Sequence, residues 1–130
     1  MTETWTYWRG DWHQGDLRIL GASSHATWLG SLVFDGARLF DGVTPDLDRH
    51  CARVNDSALA LALAPTLTGE AIAGLTRDGL KKFSPGTDAY IRPMYWAETS
   101  GPGVLPADPA STDFALCLEA MPMTEPTGFT

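Results

Sequence analysis

The order of the predicted secondary-structure elements is the feature of this sequence that most restricts its fold. Strand patterns occur at residues 4–13 and 32–40, two helix patterns follow, and further strand patterns occur at 89–97 and 113–121. Strands on both sides of two consecutive helices predict an α+β fold, in which two helices cover one face of a mostly antiparallel sheet. With 130 residues, of which 44% are hydrophobic, the chain is long enough to bury the core of one globular domain.

The first helix pattern covers about residues 46–63. Pro45 and Asp46 are typical of a helix start, because proline and acidic side chains suit the first turn. Pro65 is expected to end this helix, since proline lacks the backbone N–H that a helix needs. Helical spacing puts one apolar stripe on the face that we expect to be buried: Leu47, Cys51, Val54, Ala58 and Leu61.

The second helix pattern begins after Thr68, which is a suitable N-cap. It runs toward Lys81 and Lys82, whose positive charges suit a helix C-terminus, and a Ser-Pro-Gly segment at 84–86 follows. The spacing predicts that its inward side chains are Ile72, Leu75 and Leu80.

The strand patterns contain two turn signals. Arg9 and Gly10 separate two short alternating stretches and predict a hairpin. Asp35-Gly36 predicts a second hairpin within residues 32–40, and a bulge in one bent strand is the alternative. In the strand at 89–97, alternation separates two faces, one formed by Tyr90, Arg92, Met94 and Trp96 and the other by Ile91, Pro93 and Tyr95.

Composition and charge exclude several classes of function. The net charge of −7 argues against a nucleic-acid-binding surface, which normally shows clustered lysine and arginine. Cys51 and Cys117 have no metal-binding spacing around them, and two free thiols indicate a reducing compartment. No 18-residue apolar run and no basic, then apolar, N-terminal segment occurs, so we expect a cytoplasmic protein without membrane contact.

Three arginines are candidates for binding an anion. Arg38 and Arg92 lie in largely apolar strands and need partners, either acidic side chains on an exposed face or the carboxylate of a substrate. Arg53 lies at the margin of the first helix's apolar stripe, where it can bind a phosphate or cover apolar surface with its stem. His25 has no second histidine or cysteine at metal-ligand spacing, and we interpret it as structural. His50 lies one helical turn before Arg53, and we interpret it as bracing the site.

Three segments together resemble a known family. They are SHATWLGSLVFDGAR at 24–38, HCAR at 50–53 and YIRP at 90–93, in that order along the chain. In order and spacing they are similar to the small N-terminal domain of class IV aminotransferases that depend on pyridoxal 5'-phosphate, the branched-chain amino acid type above all. The first segment is then expected to form a strand-turn-strand wall of a substrate pocket.

The resemblance also implies roles for individual residues. Arg53 would bind the phosphate of the cofactor, and Tyr90 with Arg92 would approach the carboxylate end of the substrate. Phe34 would supply an apolar pocket wall and Arg38 positive charge beside it. Family members form homodimers whose pockets are completed by the partner, and the dimer and pocket-loop positions would be Leu29 and Val104, the latter in a Pro- and Gly-rich loop at 101–109 that is alternatively only an exposed connector.

Two departures from the family pattern leave the substrate open. Leu29 stands where branched-chain enzymes usually carry a tyrosine, and Asp35 replaces the usual glutamate. The loss of the tyrosine removes a hydroxyl from the neighbouring subunit's pocket. D-amino acid transaminase, R-selective amine transaminase and aminodeoxychorismate lyase are therefore alternatives to a branched-chain enzyme.

The position of the lysines bears on activity. Lys81 and Lys82 are the two lysines of the chain, and both lie at a predicted helix end. In the family, the Schiff-base lysine belongs to the C-terminal domain, so we expect the chain to comprise the small domain at 1–121 and the start of an interdomain linker at 122–130. On that basis the chain alone does not transaminate. A non-catalytic dimerisation or binding module is the alternative.

Overall fold

A computed structural model describes residues 3–122 and contains one antiparallel sheet with helices on both of its faces. The strands follow the spatial order β2-β1-β6-β5-β3, and β4 also pairs with β5. The α+β fold and the antiparallel sheet predicted from the sequence are thereby confirmed. The elements are β1 (Thr4–Trp8), β2 (Asp11–Gln14), α1 (His25–Leu29), β3 (Leu32–Phe34), β4 (Ala37–Leu39), α2 (Leu47–Ala60), α3 (Gly69–Leu80), β5 (Ala89–Ala97) and β6 (Thr112–Ala120).

The centre of the sheet is the pair of long strands β5 and β6. They are in register from Ala89 opposite Ala120 to Ala97 opposite Thr112. On β5 the predicted alternation is confirmed, since Ile91, Pro93 and Tyr95 are buried whereas Tyr90, Arg92 and Met94 are only half-buried. Ile91 and Tyr95 belong to the main core beneath α2 and α3. The main core is built around this central pair, because β5 and β6 each have a neighbouring strand on both sides.

The hairpin predicted within residues 32–40 is wrong, because one interrupted strand lies there. β3 and β4 both pair with β5, with Phe34 opposite Met94 and Ala37 opposite Ile91. The stretch between these pairs has the same length on both strands, so the interruption contains no extra residue and is not a bulge either.

Pro93 explains the interruption. The N–H of Asp35 donates to the carbonyl of Pro93 at 3.2 Å. In an antiparallel pair the opposing residue would return a second hydrogen bond, but proline has no N–H to donate. The ladder therefore breaks at Asp35 and Gly36.

Helix α2 follows the predicted stripe except at its end. It ends at Ala60, before Pro65, the residue expected to end it. Ala62 adopts a left-handed φ of 61°, and the N–H of Leu63 donates to the carbonyl of Ala58 at 2.9 Å. This Schellman-type ending turns the chain and buries Leu63, whereas Leu61, predicted to be buried, is 43% exposed.

Helix α3 begins as predicted, with the Thr68 side chain accepting a hydrogen bond from the N–H of Ala71 at 3.1 Å. Ile72 is buried, and Leu75 and Leu80 pack half-buried against the main core. Near the end of the helix, a side chain at Gly79 would overlap Trp12 and Leu118. The absence of a Cβ there allows α3 to lie close to the sheet.

The other face of the sheet carries a smaller core and the short helix α1. Residues 25–29 form this helix, so the strand-turn-strand wall expected over residues 24–38 is wrong in its first part. Ala26 of α1 packs against Trp96 and Ala115. Of the predicted linker at 122–130, Pro122 alone is within the described residues. No helix of the described part of the chain is long and apolar enough to cross a membrane.

Candidate functional site

The four predicted substrate-binding residues lie on one face of the sheet. Arg38 is opposite Tyr90 in the register, Phe34 is opposite Met94, and Arg92 lies between them on β5. This surface, which we call the open face, is turned away from α2 and α3 and is formed by Phe34, Arg38, Tyr90, Arg92 and Met94. Phe34, which supplies the apolar surface, is 55% exposed. The open face therefore offers apolar and cationic groups side by side.

Arg92 is held loosely on the open face. Its Nη2 lies 3.7 Å from a carboxylate oxygen of Glu119, which is too long for a hydrogen bond. Its guanidinium also lies 4.9 Å from the centre of the Tyr90 ring, a cation–π distance. The acidic partner expected of a strand-face arginine is thus present, but a carboxylate ligand that makes two hydrogen bonds to Arg92 would compete well with it.

Arg38 has a backbone partner. Its Nη2 donates to the carbonyl of Met121 at 2.7 Å, at the place where β6 ends. Its Nε is buried and has no hydrogen-bond partner within residues 3–122. Arg38 thereby ties β4 to the last turn of chain before the predicted linker.

Gly36 is a residue of the open face that the sequence analysis missed. A Cβ atom at this position would lie 2.5 Å from the hydroxyl oxygen of Tyr90 and 2.9 Å from its Cε1. Real side chains do not approach so closely, so the ring of Tyr90 occupies the space that a side chain would need. The glycine of Asp35-Gly36 is the sequence signal for this space, but the pair by itself predicts a turn.

Arg53 lies on α2 and is held by the carboxylate of Asp35. Its Nε donates to Oδ2 at 2.6 Å and its Nη2 to Oδ1 at 2.9 Å. Nδ1 of His50, one turn earlier on α2, donates to the same Oδ1 at 2.7 Å. The Arg53 side chain nevertheless stays 65% exposed, whereas that of Asp35 is 5% exposed.

The electrostatics of this cluster favour the charged forms of the acid and the arginine. Burial opposes ionisation of Asp35, but hydrogen bonds from Arg53 and His50 outweigh it and hold the pKa of Asp35 below its ordinary 3.8. The same contact raises the pKa of Arg53. Nη1 of Arg53 has no partner in the described part of the chain, so a permanently charged, oriented guanidinium faces solvent and can bind an oxyanion such as a phosphate.

Leu29 and Val104 lie in two segments that a buried histidine joins. Leu29 ends α1 and is 38% exposed. Val104 is 60% exposed, and its backbone is left-handed with a φ of 73°. The ring of His25 donates from Nε2 to the carbonyl of Leu105 at 2.7 Å and lies 2.7 Å from the Ser31 hydroxyl through Nδ1. His25 thus fixes the loop at 101–109 to the segment of α1.

The lysines and Cys51 lie away from the open face, whereas Cys117 is opposite Arg92 in the register of β5 and β6 and lies beside it. Nζ of Lys82 is 4.9 Å from the ring centre of Trp5, on the side of the sheet covered by α3. Lys81 lies 3.9 Å from Asp78 on the surface of the same helix. Burial raises the pKa of Cys51 to about 11 and also raises that of Cys117. Residues 3–122 contain no cluster of side chains that could hold a metal ion.

Comparison with known proteins identifies the family. A family model described as amino-transferase class IV matches residues 32–128. The branched-chain-amino-acid aminotransferase of Escherichia coli K12 is 30% identical over 106 residues, which are 78% of this chain and 33% of the relative.

Solved structures agree with that match. An aminotransferase from Brucella abortus bound to the co-factor PLP is 67% identical with a TM-score of 0.96, over 98% of this chain and 46% of that one. The branched-chain amino acid aminotransferase of Escherichia coli is 26% identical with a TM-score of 0.78, over 93% of this chain and 41% of that one. The chain thus spans a third of the curated relative's length and less than half of these solved chains. Its matched segments, fold and sequence identity establish that the chain belongs to the class IV aminotransferase family.

Proposed function

We propose that this chain is the small domain of an aminotransferase that moves an amino group between an amino acid and a 2-oxo acid. The observation that carries the proposal is the 67% identity, over 98% of the chain, to an aminotransferase from Brucella abortus bound to PLP. In this proposal the lysine that binds the cofactor covalently belongs to a C-terminal domain, and the chain contributes binding groups only. Residues 122–130 then begin the linker between the two domains.

The proposed cofactor is pyridoxal 5'-phosphate, and Arg53 is the residue of this chain that fits it. Arg53 is exposed, charged and held in one plane by Asp35, which are the properties that phosphate binding requires. When bound, the cofactor supplies an electron sink for chemistry at the substrate's α-carbon. The task of Arg53 is to orient the cofactor by holding its phosphate.

The open face is the proposed substrate wall. Arg92 and Tyr90 bind the carboxylate end of the amino acid, and Arg92 exchanges its loose contact with Glu119 for the ligand. Phe34 contributes the apolar side of the pocket. Arg38 adds positive charge next to Tyr90 while its Nη2 remains on the carbonyl of Met121.

A branched-chain amino acid is the substrate that we propose first. The support is the name of the Escherichia coli relatives and the apolar surface of Phe34. Leu29 in the tyrosine position keeps D-amino acids, R-amines and aminodeoxychorismate as alternatives. A panel of amine donors given to the complete enzyme separates them, because each alternative predicts a different best donor.

The complete enzyme is proposed to be a homodimer located in the cytoplasm. Leu29 and Val104 are exposed apolar residues on segments joined by His25, and such a patch suits a contact with a second copy of the chain. The support for the location is that Cys51 and Cys117 are free thiols, which a reducing compartment maintains.

Substitution of Arg53 tests the cofactor assignment. In the complete enzyme, Arg53→Ala is expected to weaken cofactor retention at least tenfold, because the positive charge and the charge-assisted hydrogen bond from Nη1 to the phosphate are lost. Dialysis followed by the absorbance of bound cofactor measures this loss. Arg49→Ala on the same helix is the control, since Arg49 is exposed and belongs to no proposed site. Equal retention by the two variants would refute the phosphate role.

The mass of the natural protein tests the division into domains. We expect an intact mass well above the 14.0 kDa of this chain, with a lysine-bearing domain after residue 130. A natural protein of 14.0 kDa would instead favour the non-catalytic module.

A further inference from the structure

Asp35 is the acidic side chain of the cluster that it forms with His50 and Arg53. Oδ1 accepts hydrogen bonds from His50 at 2.7 Å, from Arg53 at 2.9 Å and from the N–H of Gly36 at 2.9 Å. Oδ2 accepts from Nε of Arg53 at 2.6 Å. Because both oxygens already accept hydrogen bonds and the side chain is 5% exposed, Asp35 is not placed to bind a ligand itself. Any effect it has on a ligand must pass through its neighbours.

The two partners of the contact between Asp35 and Arg53 differ in exposure. Exposed arginine side chains normally sample several rotamers, and holding them in one geometry costs entropy. Here a buried carboxylate grips Nε and Nη2 of a guanidinium that is 65% exposed. The fork fixes the plane of the guanidinium before any ligand arrives. A ligand bound by Nη1 would therefore not have to order it.

We propose that Asp35 is a positioning residue that orients Arg53 for the phosphate of the cofactor. The proposal rests on the proposed function, because it takes the phosphate as the ligand of Arg53. Two physical effects of Asp35 oppose each other, so the direction in which phosphate affinity changes when Asp35 is replaced tests the proposal. The fork orders Arg53 and favours phosphate binding, whereas the negative charge of Asp35 reduces the attraction for an anion.

The chain offers a matched control in another arginine–aspartate contact. Asp113 accepts from Nε of Arg9 at 3.1 Å and from its Nη2 at 2.9 Å, and Arg9 is 60% exposed. This pair lies where β1 ends and β6 begins, and it belongs to no proposed binding site. The same oxygen of Asp113 also accepts from Nε1 of Trp8 at 3.1 Å. Asp113→Asn therefore measures what the loss of such a contact does to the protein in general.

The experiment measures affinity and not only activity. The apo form of the complete enzyme is titrated with pyridoxal 5'-phosphate, followed by absorbance, and with inorganic phosphate as a competitor. Asp35→Asn is expected to weaken both affinities about tenfold, whereas Asp113→Asn changes them less than about twofold. Unchanged or tighter binding by Asp35→Asn would overturn the proposal, since the charge effect would then outweigh the ordering effect.

A double-mutant cycle separates positioning from general damage to the fold. Lysine at position 53 keeps a cation but cannot form the two-nitrogen fork with Asp35. Asp35→Asn is therefore expected to weaken phosphate binding in the Arg53 enzyme and to change it less than about twofold in an R53K enzyme. Equal losses in both enzymes would contradict the proposal.

A conservative variant keeps the test decisive if Asp35→Asn does not fold. Asp35→Glu retains the charge and the fork, so it is expected to keep phosphate affinity within about threefold of the wild type. If Asp35→Glu weakens phosphate affinity equally in the Arg53 enzyme and in the R53K enzyme, the result contradicts the proposal. Failure of the proposed function looks different, because Arg53→Ala would then leave phosphate affinity unchanged. Loss of phosphate affinity in R53A with unchanged affinity in D35N would refute the role of Asp35 alone.

Discussion

Residues 90–95 of β5 have opposite properties on their two faces, although they belong to one strand. On the helix-covered face, Ile91 and Tyr95 are fully buried in the main core. On the open face, Tyr90 and Arg92 are half-buried and contact charged or solvent-exposed neighbours. The comparison teaches that alternation lets one strand anchor the domain with one set of side chains and keep part of the other set accessible at the surface.

The two residues of the strand interruption connect these faces. The carboxylate of Asp35 holds His50 and Arg53 of α2, on the helix-covered side. Gly36, the next residue, makes room for the ring of Tyr90 on the open face. Asp35 and Gly36 therefore serve different parts of the proposed site. Substitutions at these two positions can separate effects on stability, on cofactor binding and on substrate binding.

The largest predicted effect compares one apolar residue from each face. Ile91→Ala is expected to reduce the free energy of unfolding by about 3 kcal/mol, because it leaves a cavity in the main core. Phe34→Ala is expected to reduce it by less than about 1 kcal/mol, because Phe34 is 55% exposed. Urea unfolding of the chain measures both. Equal losses would mean that the open face contributes to stability as much as the core does.

The second prediction concerns the open face alone. Gly36→Ala is expected to displace the ring of Tyr90 and to lower kcat/KM of the complete enzyme about tenfold, mainly by raising KM for the amino acid. Affinity for the cofactor should stay unchanged, in contrast to Asp35→Asn. Gly74→Ala is the matched control, since a Cβ there meets nothing within 4 Å. An unchanged KM in Gly36→Ala would exclude Tyr90 from the substrate wall.

The third prediction is a pH dependence of the Asp35 cluster. The folded protein holds the pKa of Asp35 below 3.8, so the unfolded chain binds the proton more readily in that range. The stabilising contribution of Asp35 is complete above the unfolded pKa and is lost as pH falls through the lowered folded pKa. The difference in unfolding free energy between wild type and Asp35→Asn should therefore be constant near neutrality and shrink below pH 3.8. A difference that grows on acidification would contradict the ionised carboxylate.

The smallest effect is expected for Gly74→Ala on the helix that covers the core. Alanine in the middle of α3 should raise the free energy of unfolding by about 0.5–1 kcal/mol, because glycine loses more backbone entropy on folding. Thermal unfolding of the chain measures the gain. A destabilised variant would show that α3 is packed more tightly at this position than the open space around Gly74 indicates.

Local patterns predicted most of the elements. The alternation in β5, the N-cap at Thr68 and the apolar stripe of α2 depend on residues close together in the sequence. The first two were confirmed, and the stripe was confirmed up to Ala58 but not at Leu61. The end of α2 was not predicted, because Ala62 has a left-handed conformation that alanine does not favour. Burial of Leu63 in the core accompanies it, and that depends on the sheet beneath.

The candidate site divides in the same way. Motifs along the chain identified Phe34, Arg38, Tyr90 and Arg92, and the register of β4 and β5 put them on one surface. Their functional roles and that of Arg53 remain predictions. Neither Asp35 as the partner of Arg53 nor Gly36 as the space beneath Tyr90 was predicted, since both contacts join residues that are far apart in sequence.

The sequence by itself determined the α+β class, the two helices, the alternating central strand and the family to which the chain belongs, because each depends on local spacing or on short motifs. Tertiary structure alone decided that residues 32–40 form an interrupted strand, since the cause is the missing N–H of Pro93 on a different strand. It also decided that a buried carboxylate orders an exposed arginine. Such a contact depends on where a helix lies over a sheet edge, and no local pattern encodes that distance.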